Sequence, residues 1–128
     1  MIVVDASAVI DGLLNDGRAA ERIAGDELAA PHLLDAEVGN ALRRLDRGGH
    51  IDAGVASGAL DGLRALEIER YGHLDLLSPA WQLRGNLSFY DGLYVALASA
   101  LDVTLVTLDA HLAGAPGTTA RVEVLPAG

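Results

Sequence analysis

Short apolar runs separated by stretches of helical periodicity constrain this chain more than any other feature. The runs are "MIVV" at residues 1–4, "ELAAP" at 27–31, "EIERY" at 67–71, "VTLVT" at 103–107 and "RVEVL" at 121–125. Runs this short, bounded by turn residues and several of them rich in valine and isoleucine, read as strands, with "EIERY" the weakest. Between them, helices are expected over 7–14, 18–25, 32–47, 52 to about 66, 77–85 and 88–101, with stops at Asn15-Asp16-Gly17, Gly25 and Gly48-Gly49. Strands separated by helices pair in parallel through crossovers, which implies an α/β fold: a three-layer α/β/α sandwich around a central parallel sheet.

The 128 residues, 51% of them hydrophobic, suit a single domain over residues 1–128. No run approaches the roughly 18 apolar residues of a membrane helix, and the opening run lacks the length and basic start of a secretory signal. A soluble, cytoplasmic protein without membrane association is the expectation. There is no cysteine, and His32, His50, His73 and His111 are scattered without ligand spacing, so a metal would have to sit among oxygens. The net charge is −9 and all nine basic residues are arginine. The absence of lysine excludes a P-loop lysine, a Schiff-base lysine and a receiver-domain lysine. The acidic balance argues against gripping nucleic acid by charge alone, because that mode depends on cationic side chains neutralising phosphates.

Two strands run directly into carboxylates. Asp5 follows "MIVV", and Asp109 follows "VTLVT" after Thr107 and Leu108. In an open parallel sheet, functional groups gather at the carboxyl ends of strands near the point where strand order reverses. If these two strands are neighbours, both acids emerge on one rim. Each also has an ordinary account as an N-cap, since "DASAVI" and "DAHLA" lead into helical pattern. In "HLLDAEVGNALRRL", Leu34, Val38, Ala41, Leu42 and Leu45 form an apolar stripe, with Glu37 roughly 40° beyond its edge. Glu37 therefore sits at the core boundary, as a site acid, a snorkelling glutamate or a partner for Arg44; Asp35, on the other edge, reads as a surface acid. Asp91 has the S-x-x-D spacing of a capping box with Ser88, yet it shares a helix face with Tyr94, Val95, Ala98 and Leu101, so it points toward the sheet. Brought together, such acids suit a hard divalent cation and metal-assisted phosphodiester hydrolysis.

The segments "MIVVDASAVID", "PHLLDAEVGNALRRL", "LSFYDGLYVALASAL" and "LVTLDAHLA", in this order and spacing, resemble those of PIN-domain ribonucleases, and more narrowly the VapC-type toxins of toxin-antitoxin pairs. The resemblance covers essentially the whole chain. It implies a PIN-like parallel sheet and an acidic pocket binding Mg²⁺ or Mn²⁺ through Asp5, Glu37, Asp91 and Asp109, which it also implies are catalytic. It aligns Ser7 and Thr107 with small hydroxyl residues lining that pocket. Further implications are endonucleolytic cleavage of structured RNA such as tRNA or ribosomal RNA, homodimerisation, and inhibition by a cognate VapB-type antitoxin.

Arginines are the available contacts for an RNA backbone. Arg44, on the helix carrying Glu37, and Arg84, ahead of the Asp91 helix, are candidates, whereas Arg43 points away from the apolar stripe and reads as solvated. Trp81 and Tyr90 have the chemistry to stack on bases, but with so few aromatics in the chain they read as core. Gly54, Gly58 and Gly62 share a helix face, open to close packing or merely tolerated at the surface. Two other function classes remain. An Asp5-nucleophile phosphatase wants a second acid two residues on and a distal lysine, where this chain has Ser7 and no lysine. A catalytically silent PIN-like binding module regulated by a basic protein partner would use the acids as caps only.

Overall fold

The computed structural model describes residues 1–128. Five short strands, β1 (Ile2–Val4), β2 (Leu28–Pro31), β3 (Ile68–Tyr71), β4 (Thr104–Thr107) and β5 (Val122–Val124), form one sheet in the order β3-β2-β1-β4-β5. Every neighbouring pair is parallel. Seven helices connect them: α1 (Ala6–Leu14), α2 (Arg18–Ala24), α3 (Leu33–Arg47), α4 (Ala53–Ala65), α5 (Leu77–Gln82), α6 (Phe89–Leu101) and α7 (Ala110–Gly114). The expected α/β/α sandwich with a parallel sheet is thus the observed architecture. Helix α1 packs on α2, α3 and α4, while α6 packs on α5 and lies directly on β1, β2 and β4.

Burial follows from this layering. Strand β1 is buried along its whole length, which is why "IVV" carries no polar alternation. In α3, Leu34, Val38 and Leu42 are buried, and in α6 the seven residues Gly92–Ala98 are all buried between the sheet and α5. Gly92 permits that approach: a Cβ there would stand 3.1 Å from the Ala80 carbonyl oxygen.

The expected element boundaries hold to a few residues, with physical reasons for the differences. Helix α1 begins one residue early, at Ala6, because Asp5 itself caps it. Helix α5 ends at Gln82, earlier than expected, and a single 3-10 turn at Leu74–Leu76 precedes it. Asp52 occupies the N-cap position of α4, but its side chain makes no capping bond. Asp35 is the surface acid expected, with its side chain 41% exposed, and two other side-chain assignments are corrected. Asp35 is held by Arg70 of β3, whose Nε and Nη2 donate to its two oxygens at 2.7 and 2.9 Å. Trp81 and Tyr90 are not core: they are 55% and 59% exposed, because α5 packs against α6 through its other side and Tyr90 stands ahead of the buried run Gly92–Ala98 of α6.

The sheet order positions the site. From β1 the chain builds outward through β2 and β3 on one side and through β4 and β5 on the other. Strand order therefore reverses between β1 and β4, where Val4 lies in register with Val106. Residues just past these two positions open into the crevice at the carboxyl ends of the strands.

Candidate active site

Asp5 occupies that crevice and is only 7% exposed. Three hydrogen bonds hold its oxygens, fewer than the roughly four lone-pair sites a carboxylate offers. Oδ1 accepts from the Ser7 hydroxyl at 2.7 Å and from the Ala8 N–H at 3.0 Å, and Oδ2 accepts from the Thr107 hydroxyl. Both hydroxyl protons are thereby committed to Asp5, and each hydroxyl oxygen accepts from backbone: Leu108 N–H to Ser7 at 2.9 Å and Asp109 N–H to Thr107 at 3.0 Å. Burial pushes the Asp5 carboxyl above its usual range, opposed by the bonds from Thr107, Ser7 and Ala8, with Asp109 adding repulsion.

Asp109 lies on the same rim, linked to Asp5 through Thr107 as the neighbouring strands require. It is exposed, and its carboxylate accepts from the His111 N–H at 2.9 Å, capping α7. Capping and site position coincide for Asp5 and Asp109, because a strand that turns into a helix at the switch point places its last acid in both roles.

Asp91 enters from the first turn of α6. Ser88 Oγ accepts from the Asp91 N–H at 3.1 Å, but the reciprocal bond from the Asp91 carboxylate to the Ser88 N–H is not made, and the nearby Ser88 hydroxyl only partly offsets the rise in the Asp91 pKa. Burial raises its pKa, and the charges of Asp109 and Asp5 raise it further. Glu37 comes from α3. The buried Tyr94 hydroxyl donates to Glu37 Oε1 at 2.6 Å, so Arg44 is not its partner. Burial lifts the Glu37 pKa against that bond, with Asp91 and Asp5 adding to the rise. The structure therefore gathers all four candidate acids within electrostatic reach at one crevice, with Ser7 and Thr107 beneath them. No arginine forms an ion pair with any of the four.

As the side chains stand, no three acids or histidines come close enough together to hold a metal ion among them. The donor set still fits a hard, hydrated cation. All donors are oxygens, no arginine is paired with them and His111 alone acts on Asp91 as a weak positive neighbour, and Mg²⁺ commonly takes one or two carboxylates while keeping several waters. Arg44 lines a groove beside Glu37 and Ser7. Arg84 stands apart, stacked over the Trp81 ring at 4.6 Å and bonded to the Trp81 carbonyl. Sequence reasoning overlooked Tyr94 as a site residue, although a signal was present: a phenol inside the buried run of α6 needs a partner for its hydroxyl.

A parallel sheet whose switch point collects acids around a pair of hydroxyls defines an α/β domain of the acidic-pocket class. The PIN domain family matches residues 2–117, and the chain belongs to that family. Ribonuclease VapC1 of Mycobacterium tuberculosis is 48% identical over 128 residues, spanning 96% of each chain, so the membership extends to the VapC ribonucleases. Among solved structures, PAE2754 from Pyrobaculum aerophilum aligns with a TM-score of 0.72 and 32% identity, over 96% of this chain and 83% of that one. The Mycobacterium tuberculosis toxin VapC20, described as Sarcin-Ricin loop cleaving, shares the fold at a TM-score of 0.65 and 18% identity, over 88% of this chain and 93% of its own.

Proposed function

We propose that the protein is a Mg²⁺- or Mn²⁺-dependent endoribonuclease that cleaves structured RNA, acts as the toxin of a toxin-antitoxin pair and is restrained by a VapB-type antitoxin. One observation carries this reading: Asp5, Glu37, Asp91 and Asp109 gather at the crevice between β1 and β4, and no arginine forms an ion pair with any of them, which accords with the upward pKa shifts of three of the four. Such a cluster is destabilising unless a cation or a partner's positive charge occupies it. Family membership supports ribonuclease chemistry, and the Sarcin-Ricin loop specificity of VapC20 supports a structured RNA as substrate.

When bound, the metal supplies a Lewis acid that makes water nucleophilic at neutral pH and offsets charge on the phosphate. Asp5, pinned by two hydroxyls and a backbone N–H, offers a carboxylate of fixed orientation as its ligand. Asp91, in the first turn of α6, and Asp109, past the end of β4, are near enough for their charges to interact and would complete the carboxylate set. Glu37 has one oxygen held by Tyr94, leaving Oε2 to hold or accept a proton from the attacking water. Arg44 and Arg84 serve as phosphate contacts that offset the acidic surface. A homodimer in the cytoplasm is part of this reading.

Calorimetry with Mg²⁺ and Mn²⁺ tests it: wild type should bind a divalent ion, and Asp5→Ala or Asp91→Asn should abolish binding. RNA-end sequencing after brief induction in a bacterial host should reveal discrete cuts. Unimpaired growth with intact RNA, together with no metal site, would leave the silent binding module as the better account.

A further inference from the structure

A groove of about 510 Å³ runs from the carboxylates between α1 and α3, within the size range of ligand sites. Its walls are two helix faces: Ala6, Ser7 and Ile10 on α1, and the ladder Leu33, Ala36, Glu37, Asn40, Ala41 and Arg44 on α3, with Tyr90 of α6 at the rim. The alanines keep it wide. Ser7 and Glu37 belong both to the groove and to the acid cluster, so an occupant lies beside the cut. Asn40, Arg44 and Tyr90 are exposed, and their side chains make no hydrogen bond or ion pair within the chain. Among the nine arginines, Arg22, Arg64, Arg70 and Arg121 are ion-paired and Arg84 is stacked on Trp81; only Arg44 lines this groove.

We propose that this groove is a nucleobase subsite in which Tyr90 stacks on a base flanking the scissile phosphate, Asn40 reads that base's edge and Arg44 holds the next phosphate. The assignment rests on the ribonuclease reading and adds the determinants of sequence preference. An exposed tyrosine offers a stacking face. An amide offers a donor and an acceptor side by side, matching the paired groups on a base edge. A guanidinium beyond it meets the backbone. Splayed single-stranded bases in loops are the form of RNA that such a slot admits.

The test is single-turnover cleavage of a randomised RNA pool with Mn²⁺, followed by sequencing of the ends. Wild type should prefer one base next to the cut. Asn40→Ala should flatten that preference, and Tyr90→Ala should raise KM on the order of tenfold while Tyr90→Phe retains wild-type behaviour. Arg44→Ala should weaken cleavage across all sequences and reduce its salt dependence. Arg43→Ala, on the far side of α3, is the control for general charge loss.

Cleavage preferences unchanged in Asn40→Ala and Tyr90→Ala overturn the subsite. So does a result in which these variants cut normally but escape an inhibitory protein partner, which would make the groove a protein-docking site. A wild type that cuts no RNA overturns the ribonuclease reading instead. The subsite is then judged by fluorescence anisotropy with labelled ten-nucleotide homopolymer RNAs, where equal binding of all four by wild type and Asn40→Ala overturns it.

Discussion

Tyr94 reaches from α6 to α3 and donates its hydroxyl to Glu37 at 2.6 Å, joining two elements 57 residues apart in sequence. The bond fixes the orientation of a carboxylate that would otherwise swing at the core boundary. It also satisfies a phenol whose residue is only 1% exposed.

Tyr94→Phe removes that bond with little change of volume. A hydrogen bond to a charged group is worth about 1.5–3 kcal/mol, which lowers Tm by roughly 6–12 °C in a domain of this size. Activity should fall about ten- to a hundredfold, as is usual when a partner orienting a metal-site ligand is lost. RNA cleavage rates and a thermal melt check both.

Thr107→Val tests the link between β1 and β4. It leaves one Asp5 oxygen without its donor and the Asp109 N–H without its acceptor, both at the crevice. Expected are a loss of about 1–3 kcal/mol by urea denaturation and a drop in cleavage larger than stability explains. Thr107→Ser should restore both.

The raised carboxylates set the sign of a pH dependence. With Asp5, Glu37 and Asp91 shifted upward, the folded chain in EDTA binds more protons than the unfolded one above about pH 4. Their contribution is therefore fully present below their unfolded values and is lost as pH rises through the folded ones. Stability in EDTA should rise as pH is lowered from neutrality toward those unfolded values. Below about pH 4 an opposing effect begins, because Asp26 is held down to about 2 by the amino terminus and Arg22, and its contribution disappears as pH falls through that value. Urea midpoints across this range check the slope. Asp91→Asn should flatten it, and a divalent ion at a hundred times its Kd should raise stability at pH 7 by about 2.7 kcal/mol.

Asp11 supplies a contrasting case away from the crevice. It is 8% exposed, and its carboxylate accepts from the Gly128 N–H at 3.0 and 3.2 Å and from Asn15 Nδ2 at 3.0 Å. Asp11→Ala should cost about 1–2 kcal/mol in a melt while kcat for RNA is unchanged, since no group of the acid cluster touches it.

Some of this was legible from residue order. The apolar runs marked the five strands, and the stripe of Leu34, Val38 and Leu42 marked the buried face of α3 with Glu37 at its edge. The partner of Asp35 and the exposure of Tyr90 were not legible. The partner of Asp35 is Arg70 on β3, 35 residues away, and periodicity carries no information about which strand lies beside a helix. Tyr90 precedes a buried run, and hydrophobicity alone could not tell that the first turn of α6 projects beyond the sheet.

The sequence by itself determined the alternation of strand and helix and the placement of Asp5 and Asp109 just past strand ends, because side-chain periodicity and capping chemistry act within a few residues. Only the tertiary structure decided that β1 and β4 are neighbours, that Tyr94 rather than Arg44 holds Glu37, and that Asp91 leaves its capping box half made. Those outcomes depend on strand order and on how α3 and α6 pack on the sheet. They bring together acids as far apart in sequence as Asp5 and Asp109, whose mutual repulsion exists only once the chain has closed around them.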